Sequence, residues 1–329
     1  MKILMIALHY HGYTEAIAEE LRLLGHEVRL HDLQPRDLVM RALRVTAPKL
    51  WQARLNKHHS TILKAERGWA ADLVLFIQAH QMSHTNFERF RIAFPSARFA
   101  LYNWDSLANH DYLDKAQYFD TIQTFDPDDA ERHGFLYLPL FASRQFQDVP
   151  NRVKNRRSVY FVGNIVNPKR YTALDNFRRF CADHEISFRL YMACTPVVRR
   201  KLARQKISAS GLAHGSIDVA EFRDMLETSH AVFDFANHAQ SGYTMRIFEN
   251  LCGGKKIITN NRRIERETFF SPDRILVLPN DGQYESVPDF LDIPIEHPQE
   301  RFSHYTIQAF AVHLTDGTGH DNPSHGVER

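Results

Sequence analysis

The residues of this chain best suited to chemistry lie together in one short segment, residues 240–261. A turn over residues 241–244 is followed by a stretch of helical periodicity in which Arg246 and Glu249 lie off the apolar face. A helix N-terminus binds phosphate well because its first N–H groups are unpaired and carry partial positive charge. Arg246 can neutralise phosphate, and Glu249 can accept hydrogen bonds from neighbouring sugar hydroxyls. The segment therefore predicts a nucleotide-sugar site, with further hydroxyl and backbone donors from Ser241, Gly242, Tyr243 and Thr244.

The same segment resembles, without gaps, the carboxy-terminal donor-site motif of GT-B glycosyltransferases. The matching residues are Ser241-Gly242, then Glu249, then the Gly-Lys-Lys-Ile-Ile run at 254–258. The resemblance is strongest to bacterial enzymes that assemble lipopolysaccharide, capsule or exopolysaccharide, including spore-maturation-protein-like relatives. It implies that Glu249 contacts the ribose of the donor. Many retaining members carry a second glutamate where this chain has Ser241, which favours an inverting mechanism.

Glu249 has an alternative interpretation as a solvated helix residue, with Gly253 and Gly254 serving only to end the helix. Other donor-side candidates follow predicted strands. Gly163 and Asn164 end one strand, where glycine allows close backbone approach to a diphosphate. Lys169 or Arg170 could bind phosphate there, although Pro168 could equally start an ordinary helix. Asn237 precedes the main motif and is predicted to touch the base or the sugar.

Two residues are candidates for the general base that deprotonates an acceptor hydroxyl. His11 lies in the loop after the first predicted strand, and its ordinary pKa is near neutrality. Asp105 follows a later strand, where it could alternatively cap a turn. Gly12, Tyr13 and His80 are predicted to line the acceptor side beside them.

Two patterns that suggest metal binding have simpler explanations. His80 and His84 are four residues apart, but the glutamate of helical zinc sites is missing. The run 125–129 is aspartate-rich, yet Asp126 followed by Pro127 is typical of a helix start. The resemblance also implies metal independence, so neither a metal nor another cofactor is expected.

The order of elements predicts an α/β fold with two Rossmann-like doubly wound domains facing across a cleft. Apolar strands alternate with helical stretches, and the alternation restarts after a polar stretch near residue 150. Ligands are expected at the carboxyl ends of the strands. The predicted parts are an acceptor domain at 1–150, a donor domain at 151–314 with a helix crossing back at 304–314, and a disordered tail at 315–329.

Composition excludes several classes of protein. The chain has 329 residues, of which 43% are hydrophobic and 24% charged, values typical of a globular protein of two domains. A formal net charge of +2 gives no reason to expect nucleic acid as a partner. Three cysteines without a CxxC pair fit a reducing cytoplasm, and no apolar run is long enough to cross a bilayer.

Residues 36–67 interrupt the alternation with a basic helical insert. Eight basic and two acidic residues give it a local charge of +6, and apolar residues are interleaved with the charges. Such a segment could lie on the anionic inner face of the cytoplasmic membrane. Alternatively, its apolar stripe packs on the sheet like that of any surface helix.

The sequence thus predicts a glycosyltransferase that moves a sugar, a hexose or a related unit, from a nucleotide sugar to a glycan or glycolipid. Two other functions stay open. A nucleotide-sugar epimerase on the same fold would need no acceptor. A non-catalytic pseudo-transferase would bind nucleotide or scaffold a membrane assembly without turnover.

Overall fold

The computed structural model describes residues 1–10, 12–235, 242–279, 282–296 and 299–320. They form two compact units. The first contains residues 1–143, 242–243 and 307–320, and the second contains residues 144–235 and 244–306, within the described ranges. The division after Ser143 lies a few residues before the boundary predicted near 150.

Each unit is built on a parallel sheet, as the alternation predicts. In the first unit the strand order is β2-β1-β3-β4-β5-β6, and in the second it is β12-β11-β10-β7-β8-β9. Every pairing is parallel. The strands are β1 (Lys2–Ala7), β2 (Glu27–Asp32), β3 (Leu73–Ile77), β4 (Arg98–Asn103), β5 (Thr121–Thr124), β6 (Leu136–Tyr137), β7 (Ser158–Ile165), β8 (Ser187–Cys194), β9 (Leu212–Ala213), β10 (Ala231–Asp234), β11 (Lys256–Thr259) and β12 (Ile275–Val277).

The helices connect these strands. They are α1 (Tyr13–Leu23), α2 (Leu38–Thr46), α3 (Pro48–Ala65), α4 (His84–Ala93), α5 (Pro127–His133), α6 (Pro168–Asp183), α7 (Pro196–Arg204), α8 (Val219–Thr228), α9 (Met245–Cys252), α10 (Val287–Asp292) and α11 (Ile307–Asp316). Short 3₁₀ segments lie at Leu113–Tyr118, Arg144–Phe146, Arg262–Arg266 and Gln299–Tyr305. None of the helices in the described ranges is long and apolar enough to cross a membrane.

The central strands read as continuous apolar runs because both faces of each sheet are covered. Residues 3–7 of β1 are completely buried, as are residues 74–77 of β3. Aromatic rings fill the space between sheet and helices in both units. Phe76 of β3 packs on Phe87 of α4 at a centroid distance of 5.2 Å, and Phe233 of β10 stacks on Phe177 of α6 at 4.1 Å. Each such side chain contributes about 1.5–3 kcal/mol through burial.

The aspartate-rich run at 125–129 forms the capped start of α5, as its sequence predicts. The Asp126 carboxylate accepts hydrogen bonds from the N–H groups of Asp128 and Asp129, and Pro127 occupies the first turn. Gly134 ends the helix with a positive φ of 67°. This confirms that the aspartates serve the helix N-terminus, where negative charge is favourable.

The carboxy-terminal segment differs in detail from its prediction. The last helix, α11, covers Ile307–Asp316 rather than 304–314, and it lies in the first unit. Thr315 is buried, and the carbonyl oxygen of Thr318 accepts a hydrogen bond from Gln123 Nε2 at 2.6 Å. Residues 315–320, assigned from the sequence to a tail, are therefore held against the first unit.

Candidate functional site

The strand order of the second unit reverses between β7 and β10, and ligands of doubly wound sheets bind at such a switch point. The two strands pair at Val159–Ala231 and Tyr160–Val232. Farther toward their carboxyl ends, Arg246 bridges them. Its Nη2 donates to the carbonyl oxygen of Val162 at 2.8 Å, and its Nη1 donates to Asp234 Oδ1 at 2.9 Å.

Asp234 anchors the start of α9 to this end of the sheet. Its side chain is almost completely buried and also lies within hydrogen-bonding distance of Thr259 Oγ1 (3.3 Å) and Thr244 Oγ1 (3.5 Å). Thr244 has the extended backbone of an N-cap, but its hydroxyl caps no N–H group of α9. Thr244 and Arg246 thus lie at the switch point, where the donor motif predicts them. Arg246 is already paired with a carboxylate.

A second arginine, Arg170 in the first turn of α6, lies beside this pair. The Arg170 and Arg246 guanidinium carbons are 5.4 Å and 5.3 Å from the centroid of the Phe161 ring. Arg170 Nε is buried and has no hydrogen-bond partner within the described chain. Burial, together with the charge of Arg246, lowers the pKa of Arg170 to about 10. Two cations close to one carboxylate, Asp234, leave an excess of positive charge that an anion would balance.

Gly163, near the end of β7, makes room for these side chains. An added Cβ at this position would lie 2.9 Å from Phe161 Cζ and 3.2 Å from Arg246 Nη2. The glycine is therefore needed here to admit the ring and the guanidinium, a reason the sequence does not reveal. Asn164 and Lys169, the other candidates of this loop, are exposed near the same end of the sheet.

Glu249 lies in α9 and is only 6% exposed. Its charge acts on the phenol of Tyr160, whose pKa burial raises far above the ordinary value. A solvated position is thus wrong for Glu249. The glycines do end the helix: the Gly253 N–H donates to the carbonyl oxygen of Glu249 at 2.9 Å, and Gly254 has a positive φ of 75°.

The lysines of the motif hold the fold together. Lys256 Nζ donates to the carbonyl oxygens of Phe290 (2.6 Å) and Ile293 (2.7 Å) from a completely buried position. Lys255 is also buried, and burial lowers the pKa of both lysines to about 8. These two residues connect α9 to β11 and are not available to a ligand.

Gly242 and Tyr243 belong to the first unit and are buried. The Gly242 N–H donates to Asp126 Oδ2 at 3.3 Å, and an added Cβ at Gly242 would overlap the ring of Phe125. This N–H, predicted to serve a diphosphate, is thus engaged by a protein carboxylate. His11, Asn237 and Ser241 lie outside the described residues, so their predicted roles stay predictions.

The strand order of the first unit also reverses, between β1 and β3. Asp105 lies near the carboxyl end of the neighbouring β4. Its carboxylate accepts hydrogen bonds from Gln78 Nε2 (3.3 Å) and Asn109 Nδ2 (3.2 Å), and His110 Nε2 is 3.7 Å away. Gln78 is buried with a positive φ of 67°, a strained conformation that is concentrated at functional sites.

His80 stacks face to face on His110, with centroids 4.1 Å apart and rings parallel to within 1°. Burial and the neighbouring His110 lower the pKa of His80 to about 4, so this ring is neutral at pH 7. His110 was missed by sequence reasoning, although its position five residues after Asp105 in a post-strand turn was a usable signal. His84 points elsewhere, to Asp114 and Tyr118, so the two histidines of the suspected zinc spacing diverge.

Aromatic rings border the same end of the first sheet. Tyr10 is half exposed and lies 5.8 Å from Trp104 and 6.3 Å from Tyr13, between ring centroids. Gly12, with φ of 80°, precedes α1 and lets the loop turn between Tyr10 and Tyr13. Exposed aromatic faces of this kind pack well against the C–H face of a sugar ring.

No known sequence family and no curated protein matches the chain in sequence. Solved structures do match over nearly its whole length. The lipopolysaccharide outer core galactosyltransferase WaaB in its apo form has a TM-score of 0.61 and 14% identity, covering 96% of this chain and 99% of that chain. The chain has the GT-B fold.

Two further structures with this fold carry nucleotides. An alpha-glucosyltransferase (AGT) in complex with UDP has a TM-score of 0.58 and 10% identity, covering 97% of this chain and 96% of that chain. A UDP-GlcNAc 2-epimerase from Neisseria meningitidis bound to UDP-GlcNAc has a TM-score of 0.54 and 10% identity, covering 96% of this chain and 99% of that chain. The GT-B fold predicted from the donor motif is thus confirmed. Identities this low show the fold alone, and different chemistries occur on it.

Proposed function

We propose that this chain is a metal-independent glycosyltransferase that moves a sugar from a nucleotide-diphosphate sugar to a glycan or lipid-linked glycan, with inversion at the anomeric carbon. The second unit would bind the donor, and the first unit would bind the acceptor. Bacterial surface polysaccharide synthesis is the proposed setting. The donor motif resembles enzymes of that class, and a lipopolysaccharide galactosyltransferase has the same fold.

The observation that carries the proposal is the pair of arginines at the switch point of the second unit. Arg246 is paired with Asp234, whose charge also acts on Arg170, and the buried Nε of Arg170 has no acceptor among the residues that the structure describes. A diphosphate supplies both the missing negative charge and the missing acceptor oxygens. Negative charge grows on the departing diphosphate during transfer, and prepositioned cations stabilise that charge where it develops.

Deprotonation of the acceptor is proposed for the polar cluster of the first unit. Asp105, held by two amides, is the proposed base, and His110 beside it can share the proton. Tyr10 and Trp104 would pack on the acceptor sugar. If Asp105 is the base, Asp105→Asn should lower kcat by about 10²–10⁴-fold with donor affinity unchanged. A comparable loss in His11→Ala alone would move the role to His11.

Thermal-shift titration tests donor binding and needs no acceptor in the assay. The ligands are UDP, GDP and ADP and their glucose, galactose and N-acetylglucosamine derivatives. We expect at least one of them to raise the melting temperature, and Glu249→Gln to weaken that response. Glu221→Gln, an exposed residue of α8, is the matched control. Failure of every nucleotide to stabilise the wild type would refute the proposal.

An epimerase is the second candidate because an epimerase also shares this fold. The two reactions separate when the stabilising donor is incubated alone and followed by proton NMR. An epimerase converts the donor to a stereoisomer without an acceptor, whereas a transferase leaves it intact until an acceptor glycan, such as core oligosaccharide, is added. A pseudo-transferase would bind the donor and turn it over in neither case.

A further inference from the structure

Helix α2 exposes an apolar stripe on the side away from the protein. Leu38, Ala42 and Val45 recur at spacings of four and three residues, which places them on one face of the helix. Leu38 is 77% exposed and Val45 is 81% exposed. Met40, on the opposite face, is buried and attaches α2 to the first unit. A surface helix normally turns its apolar stripe toward the protein core, whereas this stripe of α2 faces solvent.

Basic side chains border the stripe. Arg41 and Arg44 of α2 and Lys49 at the start of α3 are exposed. They have no ion-pair partner within the described residues, whereas Arg36 pairs with Asp32, and Arg54 pairs with Asp37. The two acidic residues of the insert are both occupied, Asp37 by Arg54 and Glu66 by Arg29 and His31. The charge near the stripe is therefore uncompensated.

We propose that this α2 surface, formed by Leu38, Arg41, Ala42, Arg44, Val45 and Lys49, docks on an anionic lipid membrane. The apolar stripe would enter the headgroup boundary, and the basic side chains would contact lipid phosphates. The inference is independent of the proposed transfer reaction, since it uses no residue of either candidate site. The sequence left two alternatives for the insert, membrane docking and packing against the protein. Packing against the protein applies to α3, whose Leu55 and Ile62 are buried, but not to the exposed stripe of α2.

A second copy of the chain is a poorer occupant of this surface. A two-fold dimer through α2 would bring two identical patches together, so the unpaired arginines of both copies would repel. A lipid surface offers the opposite charge and an apolar interior at once. Nucleic acid lacks the apolar partner that the exposed leucine and valine require.

Vesicle co-sedimentation tests the proposal. The full-length chain is incubated with vesicles of half phosphatidylglycerol and half phosphatidylcholine, or of phosphatidylcholine alone. We expect binding to the anionic vesicles and its loss at high salt. Arg41→Ala with Arg44→Ala should lower the partition coefficient roughly 30-fold, about fivefold per arginine. Leu38→Ser with Val45→Ser should lower it at least roughly tenfold.

Ile92→Ser with Val219→Ser is the matched control, because these residues are 78% and 80% exposed but lie on α4 and α8. It should bind like the wild type. The proposal is overturned if the wild type ignores anionic vesicles or if the Leu38/Val45 variant binds as well as the control. It is also overturned if that variant instead abolishes a dimer seen by sedimentation velocity. Donor binding in the thermal-shift assay should be unchanged in every variant, so the two proposals fail separately.

Discussion

Replacing Arg170 with methionine should stabilise the nucleotide-free protein while removing its affinity for diphosphates. The structure holds this guanidinium half-buried beside Arg246, and its Nε has no hydrogen-bond partner in the described part of the chain. Its charge therefore destabilises the unbound protein, and a bound anion would offset that destabilisation. Methionine keeps an unbranched apolar side chain over the Phe161 ring and takes the charge away.

The size of the effect follows from the pKa of Arg170, which is lowered from 12.5 to about 10. At about 1.4 kcal/mol per unit, the shift corresponds to an upper bound of roughly 3 kcal/mol at neutral pH. The lost contact of the cation with the Phe161 ring offsets about 1 kcal/mol of this. A net gain of about 1–2 kcal/mol should raise the melting temperature by roughly 2–8 °C.

Differential scanning calorimetry measures this shift with and without nucleotide. Arg179→Met is the control, since Arg179 is an exposed residue of the same helix whose ion pair with Asp175 is worth little. We expect the control to melt within a degree or two of the wild type and to respond to nucleotide normally. A lower melting temperature for Arg170→Met than for the control would show that Arg170 is a stabilising structural residue, and the anion site would lose its basis.

Two further changes test the donor site, and a third tests the stability of the first unit. Gly163→Ala should displace Phe161 or Arg246 and weaken nucleotide binding roughly tenfold, about 1.4 kcal/mol, by calorimetric titration; unchanged affinity would show that the crowding is relieved elsewhere. Glu249→Gln should reduce affinity for a nucleotide more than for pyrophosphate if the carboxylate binds the ribose, and equal losses would argue for a structural role. His59, whose pKa burial lowers to about 4 from 6.5, is neutral when folded, so the unfolded chain takes up its proton first. The free energy of unfolding should therefore fall by roughly 2–3 kcal/mol as the pH drops from 6.5 to about 4. Urea titrations of His59→Gln should show a smaller loss of unfolding free energy over the same pH range.

The elements of the fold were predictable because parallel strands buried on both faces leave a strong sequence signal. The run at 73–77 is continuously apolar with polar flanks, and it forms β3. The strand predicted at 256–259 around two isoleucines forms β11 with the same bounds. The donor helix was equally clear, since Thr244 and the glycines at 253–254 mark its ends. Two-residue strands such as β6 and β9 carry no such signal and were missed.

The candidate sites were predictable only where a residue's role depends on its neighbours in sequence. Arg246 and Glu249 could be predicted as site residues because both lie in one helix. The pairing of Arg246 with Asp234 could not, because it joins α9 to β10 and depends on the tertiary fold. Arg170 and Lys169 look equivalent in sequence, and only packing shows that Arg170 is half-buried near the Phe161 ring while Lys169 is exposed. The stacking of His110 on His80 likewise depends on where two loops end in space.

The most direct test of the diphosphate site compares each nucleotide with its own nucleoside by isothermal titration calorimetry. The pairs are UDP and uridine, GDP and guanosine, and ADP and adenosine. We expect one diphosphate to bind at least roughly tenfold more tightly than its nucleoside, a preference that Arg170→Met abolishes and Arg179→Met retains. Equal affinity for nucleoside and diphosphate, or full binding by Arg170→Met, would contradict a diphosphate at the arginine pair of the second unit.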